Sequence, residues 1–145
     1  MIRIEKARLL FLDVGPVEQL LKFGSEGYAA VSRVLDMVYE RKIQMVASPI
    51  TLMKVAEAAF AFKMPQLARQ YREFFTRSER LLLREVDADV ALAAAEFRAK
   101  FALEIPESVQ LATAYVSGAD VVLTTRKTWG EMLDAEVVEL RELQG

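Results

Sequence analysis

The sequence predicts an α/β protein, a three-layer α/β/α sandwich around a mainly parallel sheet. Three observations lead there. Short apolar runs alternate with amphipathic segments along the whole chain. The runs that start at Leu9 and Val121 are continuously apolar, as strands are when helices cover both faces of a sheet. Serines and prolines stand where helices would begin, and a glycine stands where one would end.

Leu9 to Leu12 reads as a central strand that ends at Asp13 and is stopped by a turn at Gly15-Pro16. Ser25 caps a helix from Glu26 to about Lys42, with Ala30, Val31, Val34, Leu35 and Val38 on one face. Ile43 to Ala47 is the second strand. Ser48-Pro49 opens a helix whose apolar side carries Ile50, Met53, Ala56 and Phe60. Pro65 interrupts that pattern, and a further helix covers Gln66 to Thr76. Leu81 to Val86 is a strand, and Asp87 or Asp89 caps a helix through Phe101. Pro106 opens the next helix and Gly118 ends it. Val121 to Thr125 is a buried-type strand, Thr128 to Leu133 a short helix, and Glu136 to Leu140 a last strand. In such a sheet ligands sit at the carboxyl ends of the strands. Asp13 and Arg126 therefore mark where chemistry is to be sought.

Composition narrows that chemistry. A chain of 145 residues, 53% of them hydrophobic, suits one domain over residues 1–145 with a sizeable core. It contains no cysteine and no histidine, which excludes disulfides, thiolate or imidazole metal sites and every histidine-based catalytic triad. Catalysis would have to use carboxylates, lysines, hydroxyls or a hard metal ion held through oxygen. A formal charge of -2 gives no electrostatic case for tight nonspecific nucleic-acid binding. No apolar run reaches the roughly 20 residues of a membrane span, and the N-terminus lacks a signal-peptide cleavage pattern. The expectation is a cytoplasmic protein with no membrane partner.

Four stretches carry a family resemblance. They are LLFLDVG, SPITLMKV, FALEIPESVQLATAYVSGADVVLTT and TRKTW. In order and spacing they resemble the opening strand, the S-x-I-T-L-x-E helix start, the long proline-to-Gly-Ala-Asp signature and the T-N-D-x-x-F segment of the PIN domain. This is the fold of VapC-type toxin ribonucleases from toxin–antitoxin pairs. The resemblance covers nearly the whole chain, and its third stretch is the most specific. It implies a pocket of acidic side chains that hold magnesium or manganese, activate a water and cleave RNA.

Carried over residue by residue, the first acid is kept as Asp13 and the signature aspartate falls on Glu107. The family's glutamate falls on Lys54, and its last aspartate falls on Arg126. Val14 stands where a hydroxyl residue is usual, and Thr125 where asparagine is. Two acids and two bases bring these four positions to zero charge. The expectation is a metal-free ion-pair cluster with no cofactor, in which Asp13 and Glu107 are vestigial catalytic residues. Glu57, on the face of Lys54, is the candidate substitute ligand. Such a protein is a binding or structural module, either a homodimer or a partner of a small antitoxin-like protein. The alternative is a residual magnesium- or manganese-dependent ribonuclease using Asp13 and Glu107. Metal-free RNA binding through Lys54, Arg126 and Lys127 is weakly supported by the charge balance.

Each of these residues also has a plainer explanation. Asp13 can bond backbone amides at a strand end, and Glu107 can favour a first helical turn. Lys54 is either a solvated helix residue or a partner of Asp13. Trp129 falls where the family has a buried aromatic, so packing is expected. Glu85, Asp87 and Asp89 are explained by helix capping. Thr51, Ser108 and Thr113 read as caps or core hydroxyls. The helix from Ser25 to Lys42 packs either in a dimer or on its own sheet.

Overall fold

The computed structural model describes residues 2–144. Its five strands are β1 (Leu9–Leu12), β2 (Gln44–Ala47), β3 (Leu81–Leu83), β4 (Val121–Thr124) and β5 (Glu136–Glu139). They form one sheet in the order β3-β2-β1-β4-β5, and every pairing is parallel. The helices are α1 (Ile2–Glu5), α2 (Val14–Gln19), α3 (Glu26–Arg41), α4 (Pro49–Ala61), α5 (Pro65–Arg77), α6 (Ala88–Phe101) and α7 (Ile105–Ser117). Two 3-10 turns, Lys127–Glu131 and Leu140–Leu143, follow β4 and β5. Among the described residues no helix is long and apolar enough to cross a membrane.

The strands are apolar on both faces because both faces are covered. Leu10, Leu12, Met45, Ala47, Val121 and Leu123 point into one core with Val31, Val34 and Val38 of α3 and Tyr71 and Phe75 of α5. The intervening Phe11, Val46 and Val122 point into a second core with Leu111 and Ala114 of α7 and Trp129. The alternation follows the two-residue period of a strand. These two cores are the inner surfaces of the three layers. The apolar face of α3 is thus buried against its own sheet.

Local chemistry sets the helix ends. The Ser25 and Ser48 hydroxyls accept from the Tyr28 and Ile50 N–H groups at 3.0 and 3.1 Å. Of the two candidate caps for α6, Asp87 is the one used, accepting from Val90 N–H at 3.0 Å. That bond holds its carboxyl below the usual range. Gly118 ends α7 at φ +73°, a left-handed conformation that glycine adopts without a side-chain clash.

Three elements differ from expectation. Strand β3 stops at Leu83 because its partner β2 ends at Ala47, whose carbonyl takes the last ladder bond from Arg84 N–H at 2.9 Å. The chain between Asp13 and Gln19 forms helix α2 and not a bare turn; Pro16 is tolerated in its first turn, where a backbone N–H is not needed. Gly15 is required there by close approach, since a Cβ would lie 2.2 Å from Thr125 Oγ1. Helix α1 has only four residues and left no legible period.

Candidate functional site

The strand order places β2 and β3 on one side of β1 and β4 and β5 on the other. The side on which successive strands are added therefore reverses between β1 and β4, and a crevice opens at their carboxyl ends. A cleft of about 160 Å³ lies there. It is lined by residues from the starts of α2, α4 and α7 and from the loop after β4, among them Asp13, Glu18, Lys54, Glu107, Gln110 and Arg126. Asp13, Lys54, Glu107 and Arg126, widely separated in sequence, thus meet at one place.

Asp13 is 3% exposed. Thr124 Oγ1 donates to its Oδ2 at 2.7 Å, and Gln110 Nε2 donates to its Oδ1 at 3.0 Å. Gln110 is itself fully engaged: Nε2 also donates to Thr51 Oγ1 at 2.7 Å, and Oε1 accepts from the Ser48 hydroxyl. Ser48, Thr51 and Thr124 are completely buried. Five polar side chains thus satisfy one another out of water, as buried polar groups must. Burial pushes the Asp13 carboxyl above the usual range, although the Thr124 and Gln110 bonds pull the other way.

The second group is a chain of three. The indole N–H of Trp129, a ring only 1% exposed, donates to Glu107 Oε2 at 2.9 Å. Arg126 Nη1 reaches the same oxygen at 3.7 Å. A buried indole needs an acceptor, Glu107 supplies it, and the Arg126 guanidinium lies near the same carboxylate.

Lys54 lines the cleft but is exposed and, among the described residues, makes no ion pair within 4 Å, so of its two readings the solvated helix residue holds and the partnership with Asp13 does not. Neutral donors already occupy both Asp13 oxygens, which removes the incentive for it. Glu57 is exposed and is not among the lining residues; the third carboxylate of the cleft is Glu18, carried by α2. Sequence reasoning missed Glu18, Gln110 and Thr124. Gln110 left one signal, an amide in the middle of the otherwise small and apolar stretch SVQLATA. Thr113 and Ser108 serve as core hydroxyls, donating back to the Val109 and Ile105 carbonyls at 2.7 Å each.

The lining residues do not fit a divalent ion. Such an ion takes about six oxygens from carboxylates, carbonyls and water. Here Asp13 is engaged by Gln110 and Thr124, Glu107 is engaged by Trp129 and Arg126, and two cations share the cleft. Among the described residues no group of three His, Cys, Asp or Glu side chains is placed to hold a metal.

A parallel 3-2-1-4-5 sheet between helical layers, with a polar cleft at the β1/β4 switch, is consistent with the PIN-like fold of VapC chains. Solved structures bear this out. The chain is similar to one in the VapBC2 complex of Rickettsia felis bound to promoter DNA, with 11% identity and a TM-score of 0.72 over 90% of this chain and 98% of that one. A chain of the DNA-bound VapBC complex of Salmonella typhimurium matches at 20% identity and a TM-score of 0.70, covering 90% and 97%. VapC20 of Mycobacterium tuberculosis, a toxin that cleaves the sarcin-ricin loop, matches at 14% identity and 0.63, covering 78% and 86%. No family model matches the sequence, and no curated protein does.

Proposed function

We propose that this PIN-fold protein is not a metal-dependent nuclease and acts as a protein-binding module of the toxin–antitoxin type. The observation that carries the reading is the Trp129–Glu107–Arg126 chain of contacts. It gives one oxygen of the second retained acid a hydrogen bond and a nearby cation, both of which compete with a metal ion for that oxygen. Asp13, bound on both oxygens by neutral donors, supports the same reading. The partner class follows from the similar structures, which are complexes of VapBC type: a small antitoxin-like protein. Self-association as a homodimer is compatible with that role.

Calorimetric titration with manganese and magnesium tests the reading. The protein is expected to show no stoichiometric, micromolar site, and to leave RNA uncut in either metal. The double reversal Lys54→Glu with Arg126→Asp is expected to create manganese affinity, because it restores two carboxylates to the cleft. A micromolar site in the unaltered protein, abolished by Asp13→Asn, would overturn the reading in favour of a residual ribonuclease using Asp13 and Glu107.

A further inference from the structure

A second cavity, of about 400 Å³, opens between α6, Tyr115 of α7 and the chain from Gly130 to Asp134. It shares no lining residue with the β1/β4 cleft. Its volume falls within the roughly 300–1,000 Å³ of pockets that take small ligands. Aromatic rings make up much of its wall. Phe97 and Phe101 lie one turn apart on α6, with ring centroids 6.2 Å apart and planes 25° from parallel. Tyr115 meets Phe97 edge-on at 6.1 Å and is 66% exposed.

Charge around these rings is uneven. Glu96, Glu131 and Asp134 line the cavity, all exposed, against the single cation Lys100. Among the described residues none of the three carboxylates has an ion-pair partner within 4 Å. Lys100 stands instead over the ring of Phe101, its Nζ 5.3 Å from the centroid. An ammonium on a ring face is thus already part of this cavity. The acids come from two walls, α6 and the chain around Met132, and among the described residues they are not gathered closely enough to hold a metal ion. Dispersed negative charge beside aromatic rings suits a cation that is long and partly apolar, and it disfavours a compact hydrated one.

We propose that this cavity binds a small alkyl polyamine, its methylene chain against Phe97, Phe101 and Tyr115 and its ammonium groups toward the carboxylates of the two walls. The site is independent of the metal-free reading of the β1/β4 cleft. Lys100 is the resident competitor, since it occupies the Phe101 face and repels an incoming ammonium. Its removal therefore strengthens binding, an outcome of opposite sign to the loss of an acid or a ring.

The intact protein is titrated calorimetrically with spermidine at low salt. Saturable one-to-one binding is expected, and magnesium chloride is expected to weaken it no more than sodium chloride of equal ionic strength does. Glu131→Gln combined with Asp134→Asn should weaken binding about fivefold to tenfold, as the loss of two exposed charge pairs. Tyr115→Leu should weaken it about threefold while Tyr115→Phe leaves it unchanged, because the ring face and not the hydroxyl makes the contact. Lys100→Met should tighten it about threefold. All the altered side chains are exposed, so each variant is expected to keep the parent's melting temperature. Absence of saturable binding, displacement by magnesium beyond the effect of ionic strength, or weaker binding by Lys100→Met overturns the proposal. So does binding that either the paired acid substitutions or Tyr115→Leu leaves intact. Tighter binding of an N-acetylated Lys-Lys dipeptide amide than of spermidine also overturns it, and transfers the cavity to lysines of a protein partner. A manganese site in the β1/β4 cleft would defeat the metal-free reading and leave each of these outcomes as stated.

Discussion

Strands β1 and β4 lie side by side, and a buried or half-buried aspartate closes each end of the pair. At the amino end Asp120 accepts from the backbone N–H of Leu9 at 2.8 Å and from that of Arg8 at 3.1 and 3.0 Å. At the carboxyl end Asp13 accepts from the neutral side chains of Thr124 and Gln110, with a lesser contribution from the Val14 backbone N–H. Burial raises both carboxyl groups in affinity for a proton. At Asp120 the Leu9 and Arg8 amides outweigh it and hold the group below its ordinary range. At Asp13, far more deeply buried, desolvation wins and the group lies above it. One aspartate is a structural clasp that gains from being charged. The other carries its charge at a cost.

The comparison can be broken most forcefully at Gln110. Gln110→Ala removes three hydrogen bonds and takes one of the side-chain donors from buried Asp13, so a loss of about 3–5 kcal/mol is expected by denaturant unfolding. A loss under about 1 kcal/mol would mean that water replaces the amide freely. Asp120→Ala comes next, with an expected cost of about 2 kcal/mol, since it strips two strand-starting amides of a charged acceptor.

The pH dependences should have opposite signs. A depressed carboxyl contributes stability that is present above its unfolded pKa, about 3.9, and is lost as pH falls through the folded value. Asp120→Asn should therefore flatten the acid limb of the stability curve below about pH 4. A raised carboxyl does the reverse: its penalty is absent below the unfolded pKa and grows as pH rises through the folded one. Asp13→Asn should remove a decline in stability above about pH 4 and change stability at neutral pH by less than about 1 kcal/mol. Equal pH profiles in the two variants would dissolve the distinction between the ends. The smallest effect belongs to Arg126→Ala, at most about 0.5 kcal/mol, because its pair with Glu107 is long and the side chain is mostly in solvent. That variant should still alter Trp129 emission.

Much of the site was readable before any coordinates. Strand ends could be placed because each apolar run stops at a polar residue, and Asp13 and Arg126 stand at two such stops. Lys54 and Glu107 were added by the family resemblance of the stretches that hold them, at the starts of α4 and α7. Their electrostatic pairing was not readable. Lys54 stays in solvent while Arg126 lies near Glu107, and Gln110 and Thr124 bond Asp13. Glu18 was hidden for a different reason: Gly15-Pro16 reads as a turn, and only its packing on Thr125 shows a helix beginning there.

By itself the sequence determined the layers, the mainly parallel sheet and two strand ends, Asp13 and Arg126, because period, caps and strand ends are local properties of neighbouring residues; the family resemblance added Lys54 and Glu107. Tertiary structure alone decided which donor meets which acceptor in that cleft. Hydrogen bonds between residues about a hundred positions apart, such as Gln110 to Asp13 and Thr124 to Asp13, depend on distances of a few tenths of an ångström that packing sets and no local pattern encodes.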